Sequence, residues 1–476
     1  MGTSYARPRL FSLREPMIQL RDAIGYKGEN VLNYRHHSLI RRLPVFSKRI
    51  IASVALLSVL STSLLLSSAS AAATNAGEPQ INGTAAILMD AASGQVLYQF
   101  KADDPHPPAS MAKMMTEYLV IKAVQAGKIT WDQEVATTEN AAKQIGSRIF
   151  LAEGDKHTVK DLYIAMAVGS ANDATAQLAE VVGGTEEEFA KLMNDTAKEL
   201  GMTHSRFINA TGLDRADMPA AYQPTSIDGE TEMSARDSAI LGYHILKETP
   251  EFLDYSKMPN FQFREGENQL IDNWDWMLES NLTSKTKKKF AYKGVDGLKT
   301  GHTSRAGNNF TGTALRDGTR LIAVVMGVPG GTNDGKRFLE TAKLFDYGFN
   351  NFEKKTAVEA KKAVPEHETL KVKKGKSKKV NVITATDVSF LVPKGATVEA
   401  TVKEVKSETL KAPIEQGAKV GTVTYEYKDP ATQEMKSATV DLVAAEEVKK
   451  GSWWRLFFRG IGNFFGSLFR GIADLF

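Results

Sequence analysis

Ala85-Ala86-Ile87-Leu88-Met89-Asp90-Ala91-Ala92-Ser93-Gly94-Gln95-Val96-Leu97-Tyr98 is the stretch on which the reading of the fold turns. Two short apolar runs, Ala85 to Met89 and Gln95 to Tyr98, flank Ala92-Ser93-Gly94, so the segment reads as a β-hairpin. Far down the chain Phe310 to Leu315 and Leu321 to Val328 flank Arg316-Asp317-Gly318 and make a second hairpin. Helical patterns lie between the two. The run Ala109 to Gln125 follows Pro107-Pro108 and stops at Gly127, which matches helix start and stop signals. Strands at both ends with helices between them predict an α+β fold whose first and last strands share one sheet.

The whole chain has 476 residues, room for about three domains. Its 42% hydrophobic and 24% charged residues exclude a disordered or collagen-like chain. There is no cysteine, which removes disulfides, thiol nucleophiles and Cys-ligated zinc or iron–sulfur centres together. Eight scattered histidines without an H-E-x-x-H predict no metal site, and no cofactor motif is present.

The formal charge of +4 hides an uneven distribution. Residues 1–49 form a basic extension with a local charge of +7. Residues 50–72 hold an uncharged apolar run, Ile50 to Leu66, followed by Ala69-Ser70-Ala71. Together these read as a secretory signal cleaved near Ala71 to Ala73. The extension is long for a signal, so translation is expected to start downstream, near Lys48-Arg49. Residues 78–353 hold the mixed α and β text, and residues 354–449 a Lys-rich linker with a small all-β module. Lys354 to Val380 alone carries +7, and is expected as a solvated linker and edge strand. In residues 450–476 Trp453, Trp454, Phe457, Phe458, Ile461, Phe464, Phe465, Leu468 and Phe469 recur at helical spacing, with Arg455, Arg459 and Arg470 largely off the stripe. That is an amphipathic helix suited to a membrane interface; release into the soluble fraction on deletion of Gly451–Phe476 is the corresponding test. Between these basic parts the mature chain is acidic, and the Lys runs lack interleaved aromatics, so nucleic acid is excluded as a partner.

Chemistry enters at Ser110-Met111-Ala112-Lys113. A serine hydroxyl needs a neighbouring base to act as a nucleophile, and positions three apart on a helix share a face. Ser284-Lys285-Thr286-Lys287 matches the same S-x-x-K pattern but sits in a basic run without an apolar helical continuation, and is discarded. Ser170-Ala171-Asn172 falls in a turn between two helix-like runs. Lys299-Thr300-Gly301 follows Gly294 to Leu298 and precedes the second hairpin, as an edge strand bordering a cleft would.

The order S-x-x-K, S-x-N, K-T-G resembles the penicillin-binding proteins and serine β-lactamases. Ile87-Leu88-Met89-Asp90, Asn209-Ala210-Thr211-Gly212-Leu213-Asp214 and Gly297 to Thr303 look closest to the low-molecular-mass serine D-alanyl-D-alanine carboxypeptidases. The resemblance implies a β-lactamase/transpeptidase-like domain with a smaller all-β C-terminal domain and a terminal amphipathic helix. It implies an exported enzyme held peripherally on the outer face of the bacterial cytoplasmic membrane. Its substrates would be peptidoglycan stem peptides, with β-lactams as covalent inhibitors. Carried over, Ser110 is the nucleophile, Lys113 its base and Ser170 a proton relay. Asn172, Lys299, Thr300 and Gly301 bind substrate, and the backbone N–H groups of Ser110 and His302 form the oxyanion hole. A D,D-endopeptidase would use the same machinery. A class A β-lactamase would need a dedicated acid with Asn four residues later, a context that neither Glu117 nor Glu139 has. An inactive wall-binding protein would have no need of intact motifs.

Overall fold

The computed structural model describes residues 77–264, 266, 270–428 and 435–454. The expected signal region and nearly all of the terminal amphipathic helix lie outside the described residues. Five strands form one antiparallel sheet: β1 (Ala85–Asp90), β2 (Val96–Phe100), β3 (Val295–Thr303), β4 (Gly307–Arg316) and β5 (Thr319–Val328), in the order β2-β1-β5-β4-β3. The first and last hairpins therefore do meet. Ala85 pairs with Met326 and Asp90 with Leu321 along the β1–β5 ladder.

Local chemistry accounts for both turns. Asp90 accepts from the Ser93 amide at 3.1 Å and its hydroxyl at 2.5 Å, closing the first hairpin. In the second, Arg316 pairs with Thr319, leaving Asp317 and Gly318 at φ +48° and +76°. Two positive φ values in a two-residue loop are what a right-handed strand twist favours, and Asp-Gly accepts them at low cost.

Alternation along the strands divides two cores. Ala85, Ile87 and Met89 of β1 join Ile322, Val324 and Met326 of β5 in a cluster with Met111, Met114 and Leu241. Ala86 and Leu88 join Leu321, Ala323 and Val325 against Phe338, Leu344 and Phe345 of the helix Lys336–Asn351. Both sheet faces are covered, which is why the strands read as unbroken apolar runs rather than alternating ones.

On the first face lie helices α1 (Lys113–Gln125), α2 (Val159–Gly169), α3 (Asn172–Gly183), α4 (Glu186–Glu199) and α5 (Ala235–Glu248). Helix α1 is central: Met114, Met115, Tyr118, Leu119, Val120 and Ile121 are all buried, and so are the polar Lys113, Thr116 and Glu117. It starts later than the pattern suggested. Ala109–Ala112 form a 3₁₀ turn instead, with Ala109 at φ +50°.

Helix Lys336–Asn351 runs directly into the strand Phe352–Val358, so the Lys-rich stretch is no plain linker. It supplies that strand, Thr369–Lys373 and the start of Lys379–Thr384, with most of its lysines on exposed positions. A six-stranded sheet follows, whose strands and their partner pair close on Val380, Val382, Phe390, Val423, Tyr425 and Leu442. The strand Thr401–Lys406 starts after a turn at Gly395 with φ +82°, and its first residue pairs with Glu426.

Candidate active site

Three segments converge where α1 begins. The 3₁₀ turn carries Ser110, and Lys113 one turn on reaches back so that its Nζ lies 3.1 Å from Ser110 Oγ. Lys113 is completely buried. Its amine also donates to Asn172 Oδ1 at 2.7 Å and to the Thr211 carbonyl at 2.6 Å. The three acceptors aim the nitrogen at the serine and leave it little other freedom.

Ser170 and Asn172 sit at the α2–α3 junction. Ser170 caps α2 in the left-handed conformation, φ +56° and ψ +32°, and α3 opens at Asn172. That kink turns Ser170 Oγ towards Lys299 Nζ, 3.0 Å away. Asn172 donates from Nδ2 to the Ile145 carbonyl at 2.6 Å, which fixes its Oδ1 on Lys113. The neighbouring Asp173 accepts from the amides of Ile149 and Leu151, each at 3.1 Å through Oδ2, and so ties the 145–151 loop to the same junction.

Strand β3 brings Lys299, Thr300, Gly301 and His302. Lys299 is opposite Thr311, Thr300 opposite Phe310, Gly301 opposite Asn309 and His302 opposite Asn308. Strand and serine turn touch: a Cβ on Gly301 would lie 2.3 Å from the Pro108 carbonyl oxygen and 3.1 Å from the Met111 amide. Only glycine permits that approach. His106 Nε2 pairs with the Ala306 carbonyl at 2.8 Å, joining the start of the serine turn to the β3–β4 corner. Arg305 is engaged away from the centre, with Asp214 at 2.8 Å.

Burial governs the charges. Desolvation first, and then the Lys299 cation, hold the Lys113 amine well below the usual lysine range. Burial pulls Lys299 down as well, opposed by the carboxylate of Glu117. A dry amine that loses its proton readily, 3.1 Å from a hydroxyl, can act as a general base. Among the described residues no group of three or more acidic or histidine side chains converges to hold a metal.

Some supporting residues carry no short-motif signal. The Thr211 carbonyl reaches Lys113 because Asn209 Oδ1 accepts from the Gly212 amide at 2.7 Å and Thr116 Oγ1 donates to the Ala210 carbonyl at 2.8 Å. Arg337 donates to the carbonyls of Gly301 at 3.0 Å and Thr332 at 2.8 Å, bracing β3 from behind. The one hint of either in the sequence is the family-like run Asn209 to Asp214, whose role is visible only once folded.

Residues 72–330 match the family model described as D-alanyl-D-alanine carboxypeptidase, and residues 352–450 that of the penicillin-binding protein 5 C-terminal domain. The D-alanyl-D-alanine carboxypeptidase DacF of Bacillus subtilis (strain 168) is 33% identical over 382 residues, 79% of this chain and 89% of its own. DacA of Escherichia coli (strain K12), also a D-alanyl-D-alanine carboxypeptidase, is 31% identical over 447 residues, 91% and 98% of the two chains. Among solved structures, a peptidoglycan synthesis regulatory factor (PBP3) from Streptococcus pneumoniae is similar with a TM-score of 0.66 and 29% identity, covering 78% of this chain and 100% of its own. Penicillin binding protein 5 from Haemophilus influenzae gives 0.58 and 32%, covering 78% and 99%. With a family model spanning more than half its length and relatives matched almost end to end, this chain belongs to the D-alanyl-D-alanine carboxypeptidases.

Proposed function

We propose that this protein is a serine-type carboxypeptidase that removes the terminal D-alanine from peptidoglycan stem peptides through an acyl-serine intermediate. The observation that carries the reading is the pair of hydrogen-bonded couples, Lys113 with Ser110 and Lys299 with Ser170, in which Lys113, Ser170 and Lys299 are buried and Ser110 is half-buried. Neutral Lys113 takes the Ser110 proton as Oγ attacks the penultimate carbonyl carbon. The carbonyl oxygen becomes an oxyanion held by the backbone N–H groups of Ser110 and His302, typically worth ~2.7–4 kcal/mol per donor. Collapse expels the terminal D-alanine amine, which receives its proton by way of Ser170. Lys299 and Thr300 hold the leaving residue's carboxylate, Asn172 bonds the peptide backbone, and Gly301 admits the substrate against β3. Water then attacks the acyl-enzyme and returns Ser110 to its free form. A β-lactam enters by the same attack, its ring amide standing in for the scissile bond. The cross-link between two stem peptides, cut as a D,D-endopeptidase would cut it, is the neighbouring substrate class.

Proton bookkeeping gives the test. Lys113 must be neutral and Lys299 protonated, and both are held below the ordinary lysine range by burial. Rate therefore rises as Lys113 deprotonates, and falls again as Lys299 loses its proton. Release of D-alanine from a peptide ending in D-Ala-D-Ala should follow a bell that has declined before pH ~10.4, the value of an unperturbed lysine, and Ser110→Ala should release none. A rate still climbing at that pH, or release by the alanine variant, would contradict the reading.

A further inference from the structure

Glu117 lies one helical turn beyond Lys113 on α1, on the same face, since residues four apart stack. Its side chain is fully buried, and neither carboxylate oxygen has a hydrogen-bond partner among the described residues. Burying a carboxyl without partners is costly, so natural cores rarely retain one without use.

Its surroundings supply the use. Lys113 acts on it from its own helix and Lys299 from β3. Tyr163 of α2 lies within its field, and the Tyr163 hydroxyl is likewise buried without a partner. Other carboxyls act on the two lysines, but each is already bonded. Asp173, from α3, accepts the Ile149 and Leu151 amides. Glu186, from α4, accepts from Asn140 at 2.9 Å and from the Ala210 amide at 3.2 Å. Asp275 accepts the Met277 amide at 2.8 Å, and Arg337 adds a further cation near Lys299. Glu117 alone among these carboxyls leaves both oxygens to act through charge.

The arithmetic of the centre is short. With both lysines charged, and Arg337 adding a further cation near Lys299, positive charge exceeds what the Glu117 carboxylate offsets. With one lysine charged, Glu117 faces a single cation from the pair. The second state, with Lys113 neutral and Lys299 charged, is also the one that attack on a carboxylate-ended peptide requires.

We propose that Glu117 is a positioning residue of this centre, a sealed counter-charge that lets two lysines share the site with one cation between them. The inference rests on the carboxypeptidase reading above. Burial pushes the Glu117 carboxyl up, and its anion in turn favours the protonated form of both lysines. Removing the negative charge therefore makes both lysines lose their protons at lower pH. The acid limb and the alkaline limb of the rate profile move together in the same direction. A residue that merely fills space would lower the height of the bell and leave its limbs in place.

The experiment measures acylation of the full chain by a fluorescent penicillin between pH 5 and 11, for wild type, E117Q, E117M and E117D, alongside KM and kcat for D-alanine release. Both limbs of E117Q are expected about one pH unit or more below those of wild type. KM should rise more than kcat falls on the alkaline side, and E117D, which keeps the charge, should return the limbs towards wild type. E117M removes the charge together with the unpaired oxygens, and carries the same test where E117Q does not fold. Limbs that stay in place in the folded charge-free variant overturn the proposal while leaving the carboxypeptidase reading intact. A wild type that is never acylated overturns both.

Discussion

Lys113→Met should abolish acylation by penicillins, lowering the rate by at least ~10³, within the range that positioned general bases supply. The size of the effect follows from the geometry. No other amine is hydrogen-bonded to Ser110 Oγ among the described residues, and Lys113 holds its place by donating to Asn172 and Thr211. Methionine fills similar volume but leaves Asn172 Oδ1 and the Thr211 carbonyl without that donor, at ~1–3 kcal/mol each. Part of that cost is offset because an amine is no longer buried. The variant should therefore stay folded with a modestly lower melting temperature. Lys113→Arg separates base from scaffold: a guanidinium can still donate, yet keeps its proton at any working pH. It should be as inactive as methionine. Acylation within tenfold of wild type in either folded variant would remove Lys113 from the role of base.

Gly212→Ala is expected to be the most damaging single-methyl change outside the motifs. Gly212 has φ +77°, and a Cβ there would lie 2.0 Å from the Ala109 carbonyl oxygen. The atom struck is backbone, in the very turn that carries Ser110, so it cannot swing aside as a side-chain tip would. The left-handed conformation alone costs alanine about 1 kcal/mol, and relieving the overlap adds ~1–3 kcal/mol of the overpacking kind. Either Gly212 or the serine turn must move. Displacement of a nucleophile by about 1 Å costs on the order of 10²-fold in rate. Urea denaturation should show a midpoint lowered by the equivalent of ~2–4 kcal/mol, with acylation slowed by 10² or more. A variant matching wild type in both would show that the Gly212–Ala109 approach does not position Ser110.

These two residues mark what sequence can and cannot convey. Lys113 was legible because its partner is three residues away, and local spacing fixes whether the two can meet. The sheet was legible for a similar reason: β1 and β5 carry the unbroken apolar runs Ala85 to Met89 and Leu321 to Met326, and Asp317-Gly318 supplies a turn with its own conformational signature. Gly212 appears in the text only as part of a familiar run. Its importance arises from contact with Ala109, far earlier in the chain, and no periodicity encodes such a meeting. The 3₁₀ turn at Ala109–Ala112 was misread as helix on the same grounds. Its residues suit a helix, but the turn is packed between Gly212 and Gly301, and Ala109 adopts a left-handed φ there. Arg337 carries no signal in the sequence, and Glu117 reads there only as an acid without Asn four residues on, because burial, not identity, makes them matter. In the C-terminal module the lysines obscured the strands. Their charge suggested a solvated linker and edge strand, and the lysines are indeed mostly exposed, but Val372, Val380 and Val382 of the same strands face the core.

The pH bell, the lysine variants and the glycine variant all presuppose one covalent event at one residue. Incubation of the full chain with benzylpenicillin, followed by digestion and mass analysis, reads that event directly. The account predicts one penicilloyl adduct per chain, on the peptide containing Ser110, lost in Ser110→Ala. An adduct on Ser170 or Ser284, or labelling that persists in the alanine variant, would contradict it.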